Sequence, residues 1–438
     1  MKVFALLLTM EAGLAFAQSS ILDELNPIDS NSMGIQLYDV SLAGSYFTGS
    51  ATSGIVSGIP LLNPTNSSLA DLQVSTSLGW RRAHKDTAFS VVYSPSYVKA
   101  IYASKFHSFD QQFNVAASTK FGNKWTLASS LQGMMMDFSQ VLLSPSLIGS
   151  GELTSTNGSG TTSGEIPVSG GVVGSPETSF AYGSRELTAA GSVSLVYAYS
   201  TRSTFHLSFA GNRTQFLSAG ANGYSSGIQS LIPKTTTVGG DLGWSYALTP
   251  RTDLTFELTS ARTVSRFQDA YTPQVLIGLA RKLTPHWVVS GSVGGGEVIP
   301  NRSTYLTGRT VRDVYNGTLG YKLDSHTFSG AYSRSVSDVY GLGADATESG
   351  TGSWAWRKAG GTFSVRAAVG YAHLVGGVFH SGGSWNAQTN ISKLVARHFF
   401  TSFSYNYVRF PQNLILHSTP LSENGAVVAV SWSPVVRP

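Results

Sequence analysis

The sequence predicts an all-β fold, a transmembrane antiparallel up-and-down β-barrel of about 18 strands, with 16 as the alternative count. Three observations predict it. Apolar residues alternate with polar or small ones in segment after segment. Tight turns alternate with long Gly- and Ser-rich connections. The chain is poor in charge, with 12% Asp, Glu, Lys and Arg against the roughly 25% of soluble proteins.

Residues 236–264 show the repeating unit most clearly. Leu242, Trp244 and Tyr246 alternate with small or polar residues, and successive side chains of a strand point to opposite faces. The turn at 249–252 contains proline, which favours a turn and cannot donate to a ladder. Alternation then resumes, so the stretch is predicted to be a hairpin with one apolar and one polar face.

The same unit recurs along the chain. Tight turns are predicted at residues 81–86, 122–124, 201–203, 249–252, 284–286, 324–326, 358–360 and 396–398. Connections of about two to six residues alternate with connections of about ten to fifty, which is typical of short periplasmic turns and long extracellular loops. Eight such hairpins contain 16 strands, and one further strand at each end of the chain gives 18. This even number places both termini on the periplasmic side.

Composition narrows the class of protein. The chain is 42% hydrophobic, yet after the N-terminus it has no run of about 20 apolar residues, as a membrane helix would need. It has no cysteine, which excludes disulfides and thiol chemistry. The net charge of +5 has two interpretations, a lumen that favours anions or basic loops and turns without selectivity.

The N-terminus predicts export from the cytoplasm. Lys2 precedes an apolar stretch, and Ala15-Phe16-Ala17 forms a cleavage site, so residues 1–17 are expected to be a signal peptide. Residues 18–34 are expected to be a periplasmic lead, 35–433 a single barrel domain and 434–438 a C-terminal tail. Within the barrel, residues of about 137–185 form a long Gly-, Ser- and Thr-rich loop, displayed outside or folded into the lumen.

Aromatic residues cluster where strands end. Those near the tight turns are Trp80, Trp125, Tyr246, Trp287, Trp356 and Trp432, with Phe121 and Phe399. Those near the long loops are Tyr97, Tyr271, Tyr332, Tyr371 and Tyr407. Two such bands predict an aromatic girdle at each membrane interface.

The polar positions of the strands predict a lumen. The candidates are Asp241, Asp253, Glu257, Arg262, Lys322, Arg366, Asn386, Gln388 and Asn390. A barrel of 16 to 18 strands leaves room for an aqueous channel. The basic candidates suit anions or sugar hydroxyls, although plain solvation of the lumen is the favoured explanation for any one of them.

Catalysis and cofactor binding are not expected. The sequence has no G-x-S-x-G elbow, and although His206 and Ser208 share a face, that face is the lumen side. No spacing of His, Asp and Glu suggests a metal site, and no feature suggests nucleic acid as a partner.

The C-terminal segment resembles a known family feature. Gly425, Val428, Val430 and Trp432, which follow Glu423, resemble the assembly signal of bacterial outer-membrane barrels, although six residues follow the aromatic. The hairpins YALTPRTDLTF and ARKLTPHWVVSGSV resemble the β-barrel porins associated with exopolysaccharide-export and exosortase loci. The resemblance implies an outer-membrane location, with membrane lipid, the barrel-assembly machinery and polysaccharide-export periplasmic proteins as partners.

Three functions remain open from the sequence. The first is a porin-like channel for small polar solutes or saccharides. The second is the barrel component of exopolysaccharide export, and the third is a closed barrel for surface display or adhesion. A soluble all-β protein is disfavoured, since its strands should not carry outward Trp and Tyr at both ends.

Overall fold

The computed structural model describes residues 35–49, 55–56, 59–60, 68–84, 86–101, 107–137, 185–217, 234–266, 268–303, 308–336, 346–358, 361–375, 384–410 and 421–434. The expected signal peptide, the periplasmic lead and most of the loop predicted at 137–185 lie outside these residues.

The described chain consists of strands joined by turns. In chain order they are β1 Ile35–Gly49, β2 Ile55–Val56, β3 Ile59–Pro60, β4 Ser68–His84, β5 Thr87–Ala100, β6 His107–Phe121, β7 Trp125–Asp137, β8 Arg185–Ala198, β9 Ser203–Leu217, β10 Thr235–Thr249, β11 Thr252–Val264, β12 Gln268–Lys282, β13 Trp287–Ser303, β14 Thr310–Leu323, β15 His326–Ser335, β16 Ala346–Arg357, β17 Phe363–Val375, β18 Ser384–Ala396, β19 Phe399–Phe410 and β20 Leu421–Trp432.

Eighteen of these strands form one closed antiparallel barrel, which confirms the predicted fold class and strand count. β1 pairs with β4 on one side and with β20 on the other, so the sheet has no free edge. Closure removes the unpaired backbone groups that an open edge would expose. The two-residue strands β2 and β3 pair only with each other.

The residues of the proposed assembly signal lie in the closing strand. Val428 pairs with Gly44 of β1, Val430 with Leu42 and Trp432 with Val40, while Gly425 pairs with Phe47. The C-terminal strand therefore completes the ladder that closes the barrel.

The eight short connections, at the predicted turns, lie at one end of the barrel. The opposite end carries the other connections, and several are shorter than expected: residues 101–106 join β5 to β6, residues 304–309 join β13 to β14, and residues 376–383 join β17 to β18. β11 and β12 are joined by residues 265–267 alone, whereas connections of about ten residues or more were expected there. A local turn explains this, because the Ser265 N–H donates to the Gln268 carbonyl at 2.6 Å and the Gln268 N–H donates to Ser265 Oγ at 3.0 Å.

Strand pairing separates the barrel into an outer and an inner wall. Directly opposed residues share a face, and Leu242 opposes Leu207 on β9 and Leu258 on β11. All three side chains are exposed. Their neighbours along the strands face the opposite way, and many of those are buried Ser, Thr and Asn residues such as Ser194 and Ser404. The wall whose apolar side chains are exposed is the outer wall, and the wall facing the barrel axis is the inner wall.

Candidate functional site

The inner wall is lined by pairs of hydroxyl groups that bridge neighbouring strands. The bonded pairs, with oxygen–oxygen distances of 2.5 to 3.2 Å, are Ser41–Ser75, Ser77–Ser94, Ser130–Ser192, Thr237–Thr263, Ser290–Thr318, Ser329–Ser353, Ser333–Ser349 and Ser364–Ser392. They occur around the whole circumference, from β1 to β18. Each hydroxyl keeps acceptor capacity after one bond, so the wall presents neutral hydrogen-bonding groups on all sides.

An amide-rich patch lies on the inner wall of β17–β19. Arg366 opposes Asn390, and Gln388 opposes Asn406. Asn390 Nδ2 donates to Ser404 Oγ at 2.7 Å. The structure thus brings four of the predicted lumen residues, Arg366, Asn386, Gln388 and Asn390, onto adjacent strands, facing the axis.

A second polar patch lies on β9–β11 and is acidic. Asp241 accepts a hydrogen bond from Ser208 Oγ, and its other oxygen lies 3.1 Å from His206 Nε2. Glu257, which is buried, opposes Gly243, and His206 opposes the same glycine from the other side. A Cβ at Gly243 would overlap the His206 imidazole, so glycine makes room for the ring beside Asp241.

The patch contains Ser, His and Asp without a nucleophile–base pair. Ser208 and His206 both contact the Asp241 carboxylate rather than each other. Nucleophilic catalysis needs the base within hydrogen-bond reach of the nucleophile. The geometry instead holds a carboxylate in place on the inner wall.

The remaining predicted lumen residues lie nearer the short-turn end. Asp253 opposes Ala247 and Lys322 opposes Thr327, and both face inward. Arg312, which sequence reasoning missed, also lies on the inner wall, because it opposes Gly296 two residues from the inward Val314. Its signal was available in the alternation of β14.

Arg262 is the exception, since the expectation that it faces the lumen is wrong. It opposes Val238 on β10 and Tyr271 on β12, both outer-wall residues. There it forms a two-pronged ion pair with Asp269, with both N–O distances 2.9 Å, and its guanidinium lies 5.3 Å from the Tyr271 ring centroid. The paired carboxylate at the end of the barrel allows a charge on this wall.

An apolar cluster lies on the inner wall at the long-loop end. Val336, which follows β15, is buried with Leu276, Val298 and Val314. Gln274 Nε2 donates to the Val336 carbonyl at 2.9 Å. Since β12 lies three strands from β15 in the barrel, the chain at Val336 bends inward across β13 and β14.

The aromatic residues predicted for the short-turn girdle lie on the outer wall. Trp125 stacks on Tyr197 with ring centroids 4.2 Å apart, and Trp287 packs against Tyr321 at 4.5 Å. Trp80 contacts Phe89, and Trp244 Nε1 donates to Ser203 Oγ at 2.9 Å beside Tyr246. Trp356 and Trp432 oppose His326 and Phe399 in neighbouring strands.

The described residues contain neither a membrane-spanning helix nor a candidate metal site. They include no helix long and apolar enough to cross a membrane. Within the same residues, no group of three His, Cys, Asp or Glu side chains is placed to hold a metal ion.

Comparison with known proteins gives weak structural likenesses. No family model and no curated protein matches the chain. Similar solved structures include Pseudomonas aeruginosa OpdO, with 11% identity and a TM-score of 0.43 over 91% of this chain and 98% of that one. A BenF-like porin from Pseudomonas fluorescens Pf-5 has 10% identity and a TM-score of 0.44 over 91% and 98%. Pseudomonas aeruginosa OccK2 (OpdF), solved in complex with glucuronate, has 11% identity and a TM-score of 0.43 over 92% and 98%. At these values the function has to be inferred from the chain's own residues.

Proposed function

We propose that the chain is an outer-membrane channel that passes small polar solutes, saccharides among them. The observation that carries the proposal is the hydroxyl-lined inner wall inside an apolar outer wall. A closed barrel satisfies its backbone within the lipid, and its outward apolar band matches the hydrocarbon. A lumen enclosed by such a wall favours water and polar solutes.

The amide-rich patch favours sugars over ions as its ligands. Amide and hydroxyl groups can both donate to and accept from a sugar hydroxyl, whereas Arg366 only donates. Asn386, Gln388 and Asn390 follow one another on the inward side of a single strand, so they could contact successive hydroxyls of an oligosaccharide.

Planar-bilayer recording of the refolded protein tests the channel. We expect steady conductance steps, and addition of maltooligosaccharides should reduce the current by occupying the lumen. A variant lacking residues 140–182 reports whether that segment limits conductance. Silence in the full chain with conductance in the deletion variant would make the segment a plug, and silence in both would contradict an open channel.

A triple substitution tests the patch. Asn386→Ala, Gln388→Ala and Asn390→Ala together should raise the Kd for oligosaccharide block by about five-fold, the equivalent of losing roughly 1 kcal/mol of hydrogen bonding. Thr389→Ala is the matched control, because Thr389 lies on the same strand and faces outward, opposite Tyr405.

Two alternative functions are compatible with the same barrel. A neutral hydroxyl lining would also suit a polysaccharide chain leaving the cell, and for that role periplasmic export proteins are the proposed partners. The inward bend at Val336 favours a narrowed or closed barrel for surface display. Co-purification of a periplasmic protein with the full chain would favour export, and silence in both bilayer recordings would favour display.

A further inference from the structure

The short-turn end of the barrel carries a ring of positive charge. We define the short-turn rim as the residues in, or within three positions of, the eight short turns. Its cations with described side chains are Arg82, Lys120, Lys124, Arg202, Arg251, Arg281, Lys282, Lys322, Arg357, Lys358, Lys393 and Arg397. The acidic side chains described there are Asp86, Asp253 and Asp324. The rim is therefore strongly cationic.

The ring is nearly complete around the barrel. Seven of the eight short turns carry a cation in the turn itself or on the outer wall beside it, whereas the cation of the eighth, Lys322, faces inward. A docked protein would contact one side of the barrel, so it would need cations on a few neighbouring turns only. A membrane leaflet contacts the whole circumference at a single depth, and cations at seven of the eight turns match that geometry.

The cations lie at a defined depth relative to the girdle. Arg82 is two residues from Trp80, Lys124 adjoins Trp125, Lys358 is two residues from Trp356, and Arg397 is two residues from Phe399. Interfacial aromatic side chains lie at the headgroup level. A separation of one or two residues places each cation within about 7 Å of that level, at the depth of lipid phosphates.

The direction of the side chains is consistent with lipid contact. Arg82 opposes Phe89, Arg281 opposes Val289, and Lys393 opposes Phe363, all on the outer wall. Arg202, Arg251, Lys358 and Arg397 lie in the turns themselves and are exposed. Their long side chains can reach toward headgroups from the end of the barrel.

We infer that the short-turn rim binds the phosphate groups of anionic phospholipids in the leaflet it meets. Cations near such a leaflet are attracted by its negative surface potential, and the attraction falls with added salt. The inference rests on the proposed membrane location. It adds a lipid class and a binding surface to that proposal.

Quenching of tryptophan fluorescence by brominated lipids tests the inference, because most of the tryptophan side chains lie beside the short-turn rim. Trp80, Trp125, Trp287, Trp356 and Trp432 lie near the short-turn rim, whereas Trp385 lies at the opposite end. The full chain is refolded into vesicles that contain brominated phosphatidylcholine or brominated phosphatidylglycerol. Both leaflets then have the same composition, so the direction of insertion does not matter.

We expect phosphatidylglycerol to bind about two- to three-fold more strongly than phosphatidylcholine at low salt, with the preference lost in 0.5 M NaCl, as charge attraction requires. The rim variant combines Arg202→Gln, Arg251→Gln, Arg281→Gln, Lys358→Gln and Arg397→Gln. It should bind the two lipids equally. The control variant removes five exposed cations from the long-loop end, with Lys99→Gln, Arg213→Gln, Lys234→Gln, Arg266→Gln and Arg409→Gln, and should keep most of the preference.

Insertion is measured separately, by flotation with vesicles and by heat-modifiable migration on gels. Equal binding of both lipids by an inserted wild-type chain would overturn the inference and leave the channel proposal standing. A preference that survives in the rim variant, or that the control variant loses equally, would also overturn it. Failure of the wild-type chain to insert would contradict the membrane location itself.

Discussion

Each strand contributes alternate residues to the outer and the inner wall, and the two walls expose opposite kinds of side chain. On the outer wall Val293 is 67% exposed and Val428 57%, while on the inner wall Ser404 is 2% exposed. A soluble protein places its apolar side chains inside, so this arrangement is inverted. The inversion indicates that the medium around the outer wall is apolar. The effect of a substitution should therefore depend on the wall that the residue occupies.

The largest expected effect comes from placing a charge on the outer wall. Phe403→Arg should destabilise the inserted barrel by about 2–4 kcal/mol, because the guanidinium would lie in the hydrocarbon. Ser402→Arg is the matched change on the inner wall, one residue away and opposing Ser392 and Ala429. Urea titration of vesicle-inserted protein measures both. Equal losses would break the distinction between the walls.

The close approach of β13 to β12 at Gly294 predicts the second-largest loss of stability. A Cβ at Gly294 would overlap the carbonyl oxygen of Val275, so Gly294→Ala should cost roughly 1–3 kcal/mol through backbone displacement. Gly291→Ala on the same strand faces outward, where the nearest atom, the Asn316 carbonyl oxygen, is 3.5 Å from the added carbon. We expect that variant to keep wild-type stability in the same titration.

The charged row at the long-loop end of the outer wall should contribute less. Arg334 Nη1 lies 3.1 Å from Asp313, and Arg334 Nε lies 3.7 Å from Glu348, which in turn lies 3.6 Å from His373 Nδ1. Arg334→Gln should cost about 1 kcal/mol or less, as expected of ion pairs near a surface. A loss as large as that of Phe403→Arg would mean that the row lies within the hydrocarbon and is a structural part of the wall.

Charge changes on the inner wall should leave stability nearly unchanged and alter ion selectivity slightly. Asp241→Asn removes an inward carboxylate and should favour anions, whereas Arg366→Gln should favour cations. We expect opposite shifts in reversal potential, each changing the permeability ratio less than about two-fold, because screening at 0.1 M salt weakens single charges. Shifts of the same sign would contradict an aqueous lumen shared by the two patches.

The part of the candidate site that the sequence predicts follows from the alternation of residues along each strand. Alternation alone assigned Asp241, Glu257, Arg366 and Asn390 to one face, since a strand's side chains have a fixed period of two. The same rule would have assigned Arg262 to the outer wall with Leu258. Its charge favours a lumen position when the sequence is considered alone, but Asp269 across the hairpin neutralises that charge on the outer wall. Polarity is therefore a weaker guide to a wall than the parity of the strand.

Other features depend on residues far apart in the chain. The contact of Gln274 with Val336 joins residues 62 positions apart, and nothing in either local sequence predicts that the chain bends inward after β15. Ser208, His206 and Asp241 were visible as polar residues, but only the register of β9 and β10 decides that the serine and histidine share one carboxylate.

The sequence by itself determined the strand period, the turns and hence the number of strands, because these depend on neighbouring residues and on the fixed geometry of the extended backbone. The tertiary structure decided closure, register and the grouping of polar residues into patches. Those depend on which strands pair, and pairing β1 with β20 brings together residues nearly 400 positions apart. The cations in or near the short turns are visible in the sequence, but they form a ring only when the barrel closes.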